Sequence, residues 1–326
     1  MSSAKFDVLR LLTPDARTRL ALQDQLDVDE ISIEDLNVPA DTLRELRNEY
    51  GIQTLRDFTR IDLGAHVLRP DVLQAIHCAL FYPKHDPGPP CAWETLFERA
   101  PLSTYQNFAG HPFHTRFGPV FYRGRLDGTA KVLVVGQDPA TDESLSGRIL
   151  VGTAGQRTQH FLGKIGITSS YLMLNTVLYG IQSSNLTDAV VQDPGITAYR
   201  NELFDNAKGS NPGLTLVLAF GSKAQTAVSA WPGRGTLPVV HVYHPTAQTG
   251  LAQNWNAHLS EAASHVSPDH TPDTTPYSTT GELPTADIPR SDLPFGTPAW
   301  HGSGGSSRSR RGDGPAFESD IIWTAP

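Results

Sequence analysis

From Phe108 to about Val266 the apolar positions follow two rhythms. Short runs of large, partly β-branched residues read as strands at Phe121–Leu126, Lys131–Val135, Tyr171–Asn175, Leu214–Phe220 and Leu237–Tyr243. A turn at Asp127-Gly128 joins the first two. Between the later runs lie stretches with helical spacing: Gln156–Ile165, Ala198–Lys208 and Lys223–Ala230. Strand and helix alternate, which predicts an α/β domain. The expected form is a three-layer αβα arrangement around a central, mainly parallel four-stranded sheet.

The flanks have other patterns. Residues 31–81 hold short amphipathic segments separated by turn residues, so an all-α N-terminal domain is expected over 1–81. "YPKHDPGPP" lies in a predicted linker, 82–92, and the α/β domain then spans 93–266. From Ser267 the chain turns to Pro, Thr, Ser, Gly and Asp, and 267–326 is expected to be a disordered tail. Arg308, Arg310 and Arg311 form a small basic cluster there. Phe317 to Trp323 reads as a frayed end or a docking motif.

Composition narrows the classes. No basic, apolar leader precedes the first element, and no apolar run approaches the roughly 18 residues of a membrane span. A soluble, cytoplasmic monomer is expected. Cys78 and Cys91 are the only cysteines. They cannot supply the thiolates of an iron–sulfur cluster or an all-cysteine zinc site, and no H-E-x-x-H spacing exists, so neither metal nor cofactor is expected. Net charge is −8, which argues against a nucleic-acid partner until its distribution is read. Residues 101–266 carry 11 basic and 9 acidic side chains, while every other part of the chain is net acidic. The part with the chemistry permits contact with DNA.

In open α/β sheets, ligands bind beyond the carboxyl ends of the strands. Gly136-Gln137-Asp138-Pro139-Ala140 follows the second predicted strand. Asn175 ends the third. Gly221-Ser222 follows the fourth, and His244-Pro245-Thr246 the fifth. An acid, an amide and an imidazole therefore point to one shared crevice. Each residue alone has a plain structural use as a cap, a turn or an exposed loop position. Competing motifs are missing: there is no G-x-S-x-G elbow, no Walker loop (Gly163-Lys164 precedes Ile165) and no G-x-G-x-x-G after the first strand.

These signatures resemble those of the uracil-DNA glycosylase superfamily. "VLVVGQDPA" is similar to the G-Q-D-P-Y motif of one branch, "YLMLNTVL" to its Asn-bearing strand and "HVYHPTA" to its H-P-S motif. "GRILVGTAGQRTQHFLGKIGI" instead resembles the G-x-P-F-V-G-x-A-G loop of the iron–sulfur branch, and "LVLAFGSKAQTAV" that branch's third strand and helix. The likeness covers about residues 131–250. It implies a base flipped out of DNA into a pocket and an N-glycosidic bond cut there. On that likeness Asp138 stabilises the sugar cation and orients water, and His244 donates to O2 of the leaving pyrimidine. Asn175 reads the base edge, with the Gln137 and Asp138 amides nearby. Gly221, Ser222, Pro245, Thr246 and Gln248 would contact DNA. No lysine lies at these signature positions, so hydrolysis to an abasic site is expected. A base-binding module that does not cut, and an enzyme acting on free nucleotides, are the alternatives. Residues 31–81 resemble the small helix-hairpin-helix-like domains at the C-terminus of RNA polymerase alpha subunits, a type that serves DNA, protein or purely structural contacts.

Three positions depart from the pattern. Ala140 stands where the G-Q-D-P-Y branch has the tyrosine that excludes C5 substituents, which implies room for 5-substituted pyrimidines. Leu150 replaces the stacking phenylalanine of the iron–sulfur branch, a contact worth about 1–3 kcal/mol per base. The leucine wedge expected after His-Pro is absent at its usual place, leaving Gln248 or Leu251 as candidates.

Overall fold

The computed structural model describes residues 40–53, 57, 86, 88–110, 112–182, 186–294, 297 and 301–303. Most of the expected N-terminal domain lies outside these residues, as do Cys78, the cluster Arg308–Arg311 and the run Phe317–Trp323. Within the 31–81 segment a helix α1, Ala40–Asn48, is described.

The α/β body begins with helices α2 (Cys91–Glu98) and α3 (Leu102–Gln106). Strand β1 (Tyr122–Gly124) follows, then β2 (Val132–Gly136), α4 (Thr141–Ser146) and α5 (Thr153–Lys164). Next come β3 (Tyr171–Asn175), α6 (Asp188–Val191), α7 (Pro194–Ser210), β4 (Leu216–Phe220), α8 (Ser222–Ser229), β5 (Val239–Val242) and α9 (Leu251–Ser264). Asp193 caps α7 through bonds from the Gly195 and Ile196 amides, with Pro194 in the first turn, where its missing N–H costs nothing.

The sheet has five strands in the order β1-β3-β2-β4-β5, one more than expected. β2, β3, β4 and β5 are parallel, and β1 runs antiparallel along β3. The turn at Asp127-Gly128 therefore does not close a hairpin between β1 and β2. Burial gives the reason. All five residues of β2 are buried and apolar or glycine, as suits a central strand with parallel neighbours on both sides. β1 carries Arg123 and fits an edge.

Alternation along the strands feeds two cores. Leu133, Val135, Leu172, Leu174, Val217 and Ala219 face α2, α3, α6, α7 and α8. Val132, Val134, Met173, Leu218 and Phe220 face the opposite way, where Phe161 of α5 and Trp255 of α9 meet edge to face at 5.1 Å.

Two segments expected to be linker or tail are fixed to the body. Asp86 pairs with Arg148 at 2.6 Å, and its backbone N–H donates to the Leu293 carbonyl. Residues 267–294 form an ordered strap. Its Asp269 accepts the amides of Thr168, Ser169 and Ser170 and pairs with Lys131. Tyr277 packs on Trp255, and Asp292 lies fully buried between Arg123 and Arg125. Low complexity misled the reading of this stretch. A few well-spaced anchors, Tyr277, Leu283, Ile288, Asp292 and Leu293, hold a chain otherwise made of Pro, Thr and Ser.

Candidate active site

The parallel strands end on one side of the sheet. Register pairs Gly136 with Asn175, Val135 with Ala219 and Phe220 with Val242. The four predicted signatures therefore emerge side by side from β2, β3, β4 and β5. Hydrogen bonds tie the β2 and β3 loops together. Thr176 donates its N–H and its hydroxyl to the Gly136 carbonyl, and Val177 donates to the Gln137 carbonyl.

Two glycines set how closely the loops approach. A Cβ on Gly136 would collide with Asn175 Oδ1 and come within 3.6 Å of Leu150 Cδ1. Gly136, Asn175 and Leu150 thus form one wall. Gly221 has φ +88 and sits between Gln137 and His244, where a Cβ would fall 3.0 Å from Gln137 Oε1 and from His244 Cβ. Gln137 Oε1 also accepts the Lys223 amide at 3.3 Å. Side chains from β2 and β5 meet across the backbone that opens α8.

Asp138 is partly buried, and burial raises its carboxyl, with a further push from the nearby Glu143 carboxylate, to about 6. It remains mostly ionised at neutral pH. Asn175 is buried, and its Oδ1 has no hydrogen-bond partner. An orphaned buried acceptor of this kind costs about 1–3 kcal/mol. Burial lowers the His244 imidazole below its usual value, which keeps the ring neutral. Its Nδ1 receives the Thr246 backbone N–H at 3.3 Å and lies 2.9 Å from Thr246 Oγ1. An amide only donates, so Nδ1 is the acceptor and Nε2 carries the proton. A neutral donor nitrogen is what a developing oxyanion on a base needs.

The remaining predicted residues fall as follows. Ala140 is exposed, and its N–H donates to Glu143 Oε2. Leu150 is buried and has φ +53, the only non-glycine residue in the left-handed region among the described residues. Ser222 is exposed at the start of α8, and Pro245 is buried, its carbonyl held by Arg157 at 2.9 Å. Gln248 is exposed and bonds the Thr246 carbonyl. Leu251 is buried in the core at the start of α9, so it is not available as a wedge.

Glu143 was not singled out from the sequence. Its buried carboxylate accepts the amides of Ala140, Val151 and Gly152, which joins the loop after β2 to the loop that carries Leu150. A signal existed, since a Glu three residues into a helix after a loop fits the second half of a capping box. Among the described residues no cluster of His, Cys, Asp and Glu could hold a metal ion. No helix there is long and apolar enough to cross a membrane.

A family model described as the uracil DNA glycosylase superfamily matches residues 101–266, half of the 326-residue chain. The chain belongs to that superfamily. No curated protein matches it. The function of this uracil DNA glycosylase superfamily member is therefore of the DNA-glycosylase type, a hydrolytic activity on DNA of the kind used in repair. The matched span starts within α3's approach and ends just past α9, so it contains every strand and every residue of the crevice.

Proposed function

We propose that this chain is a monofunctional DNA glycosylase that removes a 5-substituted pyrimidine, leaving an abasic site. The observation that carries the chemistry is the set Asp138, Asn175 and His244 at adjoining strand ends. Asp138, ionised and partly buried, stabilises the cationic sugar and orients the attacking water. The Nε2 proton of His244 goes to O2 of the departing base as a hydrogen bond. The orphaned Oδ1 of Asn175 takes the base's ring N–H, and the adjoining amide donates to its carbonyl.

The substrate class rests on Ala140. Ala140 is exposed, which fits open space at the position at which the G-Q-D-P-Y branch places a ring. Space there admits a group on C5. An enzyme of this kind serves repair of altered pyrimidines or defence against DNA that carries modified bases. Lys223, whose backbone N–H meets Gln137, pairs its Nζ with Asp188 at 2.6 Å, which favours water over an amine as nucleophile.

The test is base release, read by mass spectrometry, from oligonucleotides carrying uracil, thymine in a mismatch, 5-hydroxymethyluracil and 5-hydroxymethylcytosine. The expected result is release of a 5-substituted base, lost in Asp138→Asn. Binding of modified DNA without alkali-labile sites, release only from mononucleotides, or a borohydride-trapped adduct would overturn the reading.

A further inference from the structure

The residue with the least comfortable backbone in the body sits in the wall of the crevice. Leu150 holds φ +53, a conformation that a branched side chain adopts only when its surroundings force it. Three constraints surround it. Glu143 accepts the two amides that follow it, those of Val151 and Gly152. Gly155, in the first turn of α5, leaves room for the Leu150 carbonyl, which any Cβ there would overlap. The third constraint comes from the C-terminal strap. Val151, fully buried, forms a separate small hydrophobic core with Ile288 and Leu293 among the described residues.

The strap is locked at that point on both sides. Asp292, next to Leu293, is 1% exposed and accepts from Arg123 of the edge strand, from Arg125 just after it and from the Tyr171 hydroxyl. Ile288 donates its N–H to the Gly302 carbonyl at 2.7 Å, and Ala286 donates to the Gln156 carbonyl. Beyond it, His301 Nε2 donates to the Asp142 carbonyl in α4, and Gln156 Nε2 donates to the Ser303 carbonyl. The strap thus bridges α4, which follows the Asp138 loop, and α5, which follows the Leu150 loop.

We propose that residues 286–294, together with 301–303, are a positioning element for the base pocket: Ile288 and Leu293 clamp Val151 and so hold Leu150 in its left-handed, crevice-facing state. The link to the base rests on the glycosylase reading above, while the clamp itself does not. The strap's location also explains why a stretch of such low complexity keeps Ile288, Asp292 and Leu293 at these spacings.

The experiment uses the full chain and three variants, Leu293→Ala, Ile288→Val and the size-conserving Leu293→Met. Hydrogen exchange is followed at the Val151 and Gly152 amides and, as a reference, in β4. Steady-state kinetics use duplex oligonucleotides carrying uracil or 5-hydroxymethyluracil. The expected result for Leu293→Ala is exchange at 151–152 faster by tenfold or more, with β4 unchanged. KM should rise about tenfold while kcat stays within about twofold, the split expected when ground-state and transition-state binding weaken together. Ile288→Val should show the same in smaller measure, and Leu293→Met should restore both. Unchanged exchange at 151–152, equal acceleration in β4, or faster local exchange without a change in KM would each overturn the clamp. If the unaltered chain releases no base, the glycosylase reading falls and the exchange measurements alone decide the clamp.

Discussion

The backbone N–H of Thr246 points at Nδ1 of His244 from 3.3 Å. That one bond selects the ring's tautomer, because a backbone N–H group can only donate. Burial then keeps the ring from gaining a second proton. Together they present Nε2–H as a neutral donor. Nitrogen-15 spectra of the imidazole should show a single neutral Nε2–H form at pH 7 and above. A mixture of tautomers, or a cationic ring at pH 7, would remove the basis for His244 as the donor to O2. Replacement by Ala should lower kcat by about 100-fold, the scale of losing one donor to a developing oxyanion.

Asp138 sets the acid limb. Its carboxyl is raised to about 6, and the reaction needs the ionised form, so the rate should fall as pH drops through about 6. The sign for stability is opposite to the sign for activity. The folded state binds this proton more tightly than the unfolded chain, so the site contributes stability at low pH that is lost as pH rises from about 4 to about 6. Asp138→Asn removes that cost. It should abolish base release while raising the unfolding free energy at pH 7 by on the order of 1–2 kcal/mol. Calorimetry at pH 4.5 and 7.5 would check this, and a variant no more stable at pH 7.5 would contradict the account.

Much of the site was legible because it is written at strand ends. The buried runs Val132–Val135 and Leu216–Phe220 mark parallel strands without ambiguity, and whatever follows each must share an edge. Two kinds of information were not local. The place of β1 depends on which edge of the sheet remains open, and the Asp127-Gly128 turn says nothing about that. The strap depends on Asp292 meeting Arg123, residues far apart in sequence, and a buried ion pair leaves no periodic trace. Burial alone removes Leu251 as a candidate wedge, since in sequence it reads the same whether it faces DNA or the core.

Ala140 gives a prediction about selectivity. A ring at this exposed position should return the pocket to plain uracil. Ala140→Tyr is expected to leave uracil release within about threefold and to lower release of a 5-hydroxymethylated base by about 10–200-fold, the range for filling one small subsite. Paired excision assays on matched duplexes would measure it. Equal effects on both bases would mean that C5 lies elsewhere.

The buried pair Arg123–Asp292 gives a stability prediction. Asp292→Ala leaves Arg123, fully buried, with Gln159, the Met173 sulfur and the face of the Tyr171 ring as its described partners. An uncompensated buried charge costs about 3–5 kcal/mol. A double variant with Arg123→Met should recover part of this, because two apolar residues tolerate burial where one ion does not. Chemical denaturation of the single and double variants would show it, and a single variant within about 1 kcal/mol of the parent would mean that the strap is not anchored here.

Glu143 couples structure to acidity, and its neutral amide separates the two. In Glu143→Gln one oxygen can still accept from Val151 and Gly152, but an NH2 group then faces the Ala140 N–H. Donor meets donor, and one charge-assisted bond becomes a repulsion, so stability should drop by about 2 kcal/mol. The Asp138 carboxyl loses the second of the two influences that raise it. Its acid limb should therefore move to lower pH, while burial keeps it above the value of a free aspartate. Activity at pH 5, relative to the maximum, should rise even as the protein weakens. A pH–rate profile with an unmoved limb would show that burial alone sets the acidity of Asp138, and that Glu143 serves only to join the two loops.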